Sequence, residues 1–116
     1  MDGMELYQEL DKVLKQHQWC LKELRNSGSE FAEAERRYNT LKRKHILALR
    51  AQGEAVGIID KIYKGIPEVA DALFDMRVKE QLYKANQEAV MSTKLQIKII
   101  NENINRAYSS PSVGVG

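Results

Sequence analysis

The residues best equipped for chemistry in this chain are cations. Arg36, Arg37, Lys42, Arg43, Lys44, His45 and Arg50 succeed one another without an intervening acid. On a helix, Arg36, Arg43 and Arg50 stack on one stripe and Arg37 with Lys44 on its neighbour, so two rows of positive charge face one way. Such a ridge suits the phosphates of a nucleic acid or of a small nucleotide, and Tyr38 can stack on a base only if it leaves the helix seam. The competing reading is a solvated face that pairs with another subunit. The charge distribution supplies the partner. Residues 1–35 hold four Lys or Arg against eight Asp or Glu, residues 36–64 hold eight against two, and the remainder is balanced at six against six. A −4 segment and a +6 segment match in an antiparallel or offset assembly.

A second group gathers around a corner of the chain. Arg50, Lys61, Tyr63, Lys64 and Gly65 come first, then Arg77, Tyr83 and Lys84 further on. Glycines that end helices expose backbone donors, and with Lys and Tyr beside them they can form a concave anion site where several copies meet around an axis. The plainer reading is that Ile62 and Tyr63 plug the end of a helical hairpin.

Nothing else in the sequence has the spacing of a catalytic or metal centre. His17 and His45 lack a Cys or carboxylate at ligand spacing, and Cys20 has no neighbour that would make it a nucleophile. Gly53, Gly57 and Gly65 match neither a Walker nor a dinucleotide loop. The expectation is a non-enzymatic protein without metal or cofactor. One cysteine cannot form an intrachain disulfide, no run approaches the length of a membrane span, and the acidic N-terminus lacks the features of a secretory signal. A cytoplasmic protein that does not enter membranes is therefore expected.

The elements that position these residues are long helices. With 43% hydrophobic and 29% charged residues the chain has the composition of a folded globular or coiled-coil protein, not of a disordered one. Leu10, Val13, His17, Cys20, Leu24, Ser27, Phe31, Ala34, Tyr38, Leu41, His45 and Ala48 alternate three and four apart, which is a heptad seam. Leu24 and Phe31 are seven apart, so the register passes unbroken through Asn26, Ser27, Gly28 and Ser29. One continuous helix is favoured over two, although Ser29 could cap a fresh one. Gly53 ends this arm, Ile58 to Ile62 form a short corner helix, and Pro67 opens the second arm. The fold expected is all-α: a single domain over residues 1–108, a long antiparallel, coiled-coil-like helical hairpin with arm one at about 4–52, a corner at 53–66 and arm two at about 67–108. Residues 109–116, rich in Ser, Gly and Pro, are expected to be a disordered tail.

The second arm has apolar residues on more than one face. Val69, Leu73, Met76, Tyr83, Val90, Ile97 and Ile104 make one stripe, and Val78, Leu82, Ala85, Ala89 and Ile99 make another. One partner helix cannot cover both, so assembly into a homo-oligomeric helical bundle is expected. Glu80, Gln87, Lys94 and Asn101 fall on the alternate positions of the first stripe, where polar side chains set register or line a cleft along an oligomer axis.

Further residues carry a resemblance. Ala32, Glu33, Ala34, Glu35, Arg36, Arg37 and Tyr38, then Leu49, Arg50 and Gly53, then Asp60, Lys64, Gly65, Val69 and Ala70, resemble a family of small helical bacteriophage proteins of Gram-positive hosts. Phe74, Glu80, Leu82, Tyr83, Gln87, Glu88, Ala89, Lys94 and Arg106 continue the likeness, which covers about residues 28–108. Ala55 and Gly57 stand where such proteins usually have Pro and Thr, and Leu73 and Met76 where they usually have Arg, which leaves the region of Arg50, Lys61 and Lys64 as the better-supported polar site. The resemblance implies a phage accessory protein in the cytoplasm of the infected cell. The function expected on this basis is an anti-defence protein, an oligomer that sequesters an anionic nucleotide-derived immune signal. The alternatives are a nucleic-acid-binding accessory of phage replication or recombination, resting on Arg36, Arg37, Lys42, Arg43 and Lys44, and a purely structural protein–protein interaction module.

Overall fold

The computed structural model describes residues 3–109, and among these every regular element is helical. Helix α1 covers Gly3–Ala51, α2 covers Val56–Ile62, a single 3₁₀ turn covers Tyr63–Gly65, and α3 covers Pro67–Ser109. Ser109, where the tail was expected to begin, is the last residue of α3; positions 110–116 lie outside the described residues. No helix is long and apolar enough to cross a membrane among the described residues.

Helix α1 runs unbroken through residues 26–29. A glycine in a helix interior costs about 1 kcal/mol relative to alanine, so Gly28 needs a local reason. The reason is the ring of Tyr83: a Cβ on Gly28 would lie 3.0 Å from Tyr83 Cε1. Small residues at this point let an aromatic side chain of α3 approach the α1 backbone, with Phe31 tilted against it at 6.0 Å between centroids. The α1 terminus is equally specific. Gly53 has φ +88°, its N–H donates to Arg50 O at 3.0 Å, and Glu54 N–H donates to Leu49 O at 3.2 Å. This pair of bonds closes the helix through a left-handed residue that glycine adopts without a Cβ penalty. Gly57 lies inside α2, and Pro67 sits at the first position of α3, where its missing N–H is not needed.

The chain gathers into two compact units. The terminal unit comprises Met1–Arg25 with Ala85–Gly116, and the central unit comprises Asn26–Lys84. In the terminal unit Leu6, Val13, Ile100 and Ile104 are buried together, with Leu10, Ile97 and Ala107 packed on them. Across this pairing His17 meets Thr93 at 2.6 Å, and Asn86 Nδ2 donates to Glu23 O at 3.3 Å, so the two helical segments run antiparallel. Thr93 Oγ1 donates to a backbone carbonyl of the previous turn, Ala89 or Val90, which leaves it to accept from His17 Nδ1–H. In the central unit Tyr38, Tyr63, Val69 and Ala72 form the core, flanked by Leu41, Leu49, Ile66, Leu73 and Met76. Lys79 lies 3.8 Å from Glu30 and His45 2.7 Å from Glu68, again an antiparallel pairing of α1 with α3.

The α1 seam is inward-facing from Leu10 to His45, and Leu6 extends it by one position. Ala48 departs from it: it is exposed, while Leu49 turns in against the central core. The α3 seam also needs a correction. Val69, Met76, Tyr83, Val90, Ile97 and Ile104 face inward as the spacing predicts, but the alternate positions are Ala72, Lys79, Asn86, Thr93 and Ile100. Gln87, Lys94 and Asn101 are exposed and Glu80 is half-buried, so they set no register in these pairs and line no cleft within the chain. Three-then-four and four-then-three spacing both fit the same heptad, and both alternate tracks of α3 carry polar residues. Ile100 and Ala72 decide for the first.

Candidate functional site

The chemistry of the central unit is built around two phenols. Tyr38 comes from the middle of α1 and Tyr63 opens the 3₁₀ turn; both are buried in one cluster, and their hydroxyls interact. Burial, which disfavours the phenolate, pushes the Tyr38 hydroxyl above its ordinary titration range, and the neighbouring Tyr63 hydroxyl acts in the same direction. Lys42 and Arg77 act on it in the opposite sense. Lys42 stands one helical turn after Tyr38, with Nζ 5.2 Å from the centroid of the Tyr63 ring, and Lys64 Nζ is 5.9 Å from the same centroid. Two cations, one from α1 and one from the turn, therefore lie over the ring of a buried tyrosine. Ammonium groups over an aromatic face are each held by about 0.5–1 kcal/mol at exposed sites, enough to orient them without neutralising them. The arrangement offers positive charge on an apolar, aromatic floor, a surface to which an anion with a planar body is complementary.

The other residues of the corner group are dispersed. Arg50 and Lys61 are exposed and have no ion-pair partner among the described residues. Tyr83 is half-buried against Gly28 and Phe31, six residues beyond Arg77 on α3, and Lys84 beside it is exposed. The structure thus brings together Tyr63 and Lys64 of that group, adds Tyr38 and Lys42, and leaves Tyr83 in a separate packing role with Lys84 exposed beside it.

The cationic ridge is less bare than its sequence. Arg36 Nη2 donates to Glu33 Oε1 at 2.6 Å, and this bond and charge raise the guanidinium pKa further. His45 Nε2–H donates to Glu68 Oε2 at 2.7 Å, a bond that holds the Glu68 carboxyl below its usual range, with smaller contributions in the same direction from Lys44 and Arg37. Arg37 also lines a shallow groove with Glu30, Glu33, Asp75 and Lys79. Acids from one turn earlier on α1 and from α3 reach the ridge. Arg43 and Lys44, by contrast, remain exposed without an ion-pair partner within 4 Å among the described residues.

The central unit also exposes an apolar stripe. On α3 of the central unit, Phe74 is 71% exposed and Val78 and Leu82 follow it at successive turns, both open to solvent. Val56, Ile58 and Ile62 of α2 are exposed as well. Val78 and Leu82 belong to the second apolar stripe of the sequence, whereas Phe74 and the exposed Trp19 on α1 were given no surface role by it. The signal for Phe74 was available in its one-turn spacing with Val78 and Leu82; Trp19 is not part of that stripe.

No protein-family model matches this chain, and no curated protein or solved structure is similar to it.

Proposed function

We propose that this protein is a non-catalytic helical subunit that assembles with copies of itself through the outer apolar face of α3. The observation that carries the reading is the exposed Phe74–Val78–Leu82 stripe, three large apolar side chains at i, i+4 and i+8 on a helix whose opposite face is already filled. A contiguous apolar stripe of this kind is the seam by which helices associate, and monomeric proteins keep such patches small. The separation of acidic residues 1–35 from basic residues 36–64 favours a second copy as the occupant, because segments of opposite sign attract one another in an antiparallel or offset assembly. Native mass spectrometry of the purified protein tests this: a discrete oligomer is expected at micromolar concentration, and Phe74→Glu with Leu82→Glu should reduce it to monomer while retaining helicity. A wild-type chain that stays monomeric at that concentration would remove the proposal.

A second reading is favoured by the placement of Lys42 and Lys64 over the buried Tyr63 ring, with Arg77 contributing positive potential at Tyr38. In it, the assembled subunits hold an anionic, nucleotide-derived ligand at this end of the central unit and withdraw it from circulation. Its setting, a phage accessory protein countering defence in the cytoplasm of an infected cell, rests on the resemblance alone. Calorimetry against a panel of cyclic and ADP-ribose nucleotides checks it. Binding heat that disappears in Lys42→Glu with Lys64→Glu supports the site, and absence of heat across the panel ends it.

A further inference from the structure

We propose a binding site for single-stranded nucleic acid on the outer face of α1 in the terminal unit, centred on Trp19. It stands independently of self-assembly and uses none of the residues of the central unit. Trp19 is the only tryptophan of the chain and is 61% exposed. It lies in a shallow depression with Lys15, Gln18, Leu21, Lys22 and Arg25. The immediate surroundings of the indole are thus cationic although residues 1–35 as a whole are acidic. Lys22 and Arg25 have no ion-pair partner among the described residues. Lys15 pairs with Asp11 at 2.9 Å, but both side chains are largely exposed, and such a pair is held weakly enough to exchange for another anion.

Spacing argues for the class of ligand. Lys15, Trp19 and Lys22 fall on one stripe of the helix, and at 1.5 Å per residue the two lysines lie about 6 Å before and about 4.5 Å beyond the indole along the axis. A base stacked on Trp19 therefore has a cation on each side, where the phosphates flanking that base lie. Arg25, about 9 Å beyond, continues the row towards the next phosphate. An indole face accepts any base, and stacking with flanking cations is the means by which proteins hold single strands without reading sequence. The same surroundings disfavour a protein or membrane occupant. Those need contiguous apolar surface, and around Trp19 the apolar companion is Leu21, which is half-buried.

The single tryptophan makes the test direct. Full-length protein is titrated with a short oligothymidylate at low salt, read by quenching of Trp19 emission and, separately, by anisotropy of a dye-labelled strand. Saturable quenching is expected. The affinity should weaken roughly tenfold between about 50 and 200 mM salt, as two or three phosphate contacts on a single strand require. Trp19→Ala, read by anisotropy and shown by circular dichroism to stay helical, should bind roughly tenfold more weakly, as loss of one stacked base implies. Lys22→Glu with Arg25→Glu should do the same with the indole in place. Any of three results would overturn the site: no quenching at the lowest salt, strand binding that survives Trp19→Ala and is lost in Arg43→Glu with Lys44→Glu, or a blue shift of Trp19 with anionic vesicles and no response to the strand.

Discussion

The two units solve the same packing problem with different side chains. The terminal unit pairs two helical segments over aliphatic residues, Leu6, Val13, Ile100 and Ile104, and adds polar contacts of His17 with Thr93 and of Asn86 with the Glu23 carbonyl. The central unit packs α1 and α3 over two phenols and adds α2 and the 3₁₀ turn, which supply Ile59 and Tyr63 to its interior. An aliphatic core gives adhesion and little chemistry. A tyrosine core carries hydroxyls that must be hydrogen-bonded and ring faces that attract cations, and this explains why Lys42 and Lys64 collect there. Functional groups accumulate where a core is forced to contain polarity.

The sharpest way to break this comparison is to cut each core in turn. Ile59 is almost wholly buried, and Ile59→Ala should destabilise the central unit by about 3 kcal/mol, the middle of the range for aliphatic truncation. Hydrogen exchange should accelerate in α2 and the flanking turns and stay slow around Ile100 and Ile104. Uniform acceleration through both units would show that they unfold as one. A smaller effect is expected at the close approach of α1 and α3. Gly28→Leu should cost about 2 kcal/mol because the added side chain meets the Tyr83 ring, whereas Gly28→Ala trades a tight contact against improved helix propensity and should change the melting midpoint little. In the terminal unit His17→Ala should cost about 1 kcal/mol, the typical value of one hydrogen bond, because Thr93 keeps its bond to the backbone. The smallest effect is on pH dependence. Glu68 titrates below its unfolded value, so its contribution is complete above about pH 4.3 and fades as the pH falls through the lower folded value. Glu68→Gln should remove that part of the acid sensitivity, seen as a flatter plot of stability against pH in the acid range.

The sequence makes the helices legible because their period is long and uninterrupted. The seven-residue step from Leu24 to Phe31 is enough to carry α1 across a stretch that otherwise resembles a loop, and Gly53 and Pro67 mark the corner by backbone chemistry alone. The alternate track of α3 was not legible, since Glu80 and Lys79, Gln87 and Asn86, and Lys94 and Thr93 satisfy the same heptad, and the burial of Ala72, Thr93 and Ile100 is what separates them. The tyrosine site was legible in part. Tyr63, Lys64 and Arg77 were singled out near the corner, but the meeting of Tyr38 and Lys42 with Tyr63 depends on how the turn packs back on α1, which no local period encodes. Acids that reach the cationic ridge from α3 were hidden for the same reason: Glu68 lies 23 residues from His45.

That separation bears on how the chain reaches its structure. The corner contact of His45 with Glu68 closes a loop of 23 residues, whereas His17 and Thr93 are 76 apart. On loop-closure entropy alone, making the second contact first costs about 1 kcal/mol more than making the first, and no core yet exists to offset it. The left-handed Gly53 shortens the search further by fixing the reversal locally. Folding should accordingly start at the corner and advance towards the chain ends, with substitutions around Tyr63 and Val69 slowing folding and substitutions around Leu6 and Ile104 mainly hastening unfolding.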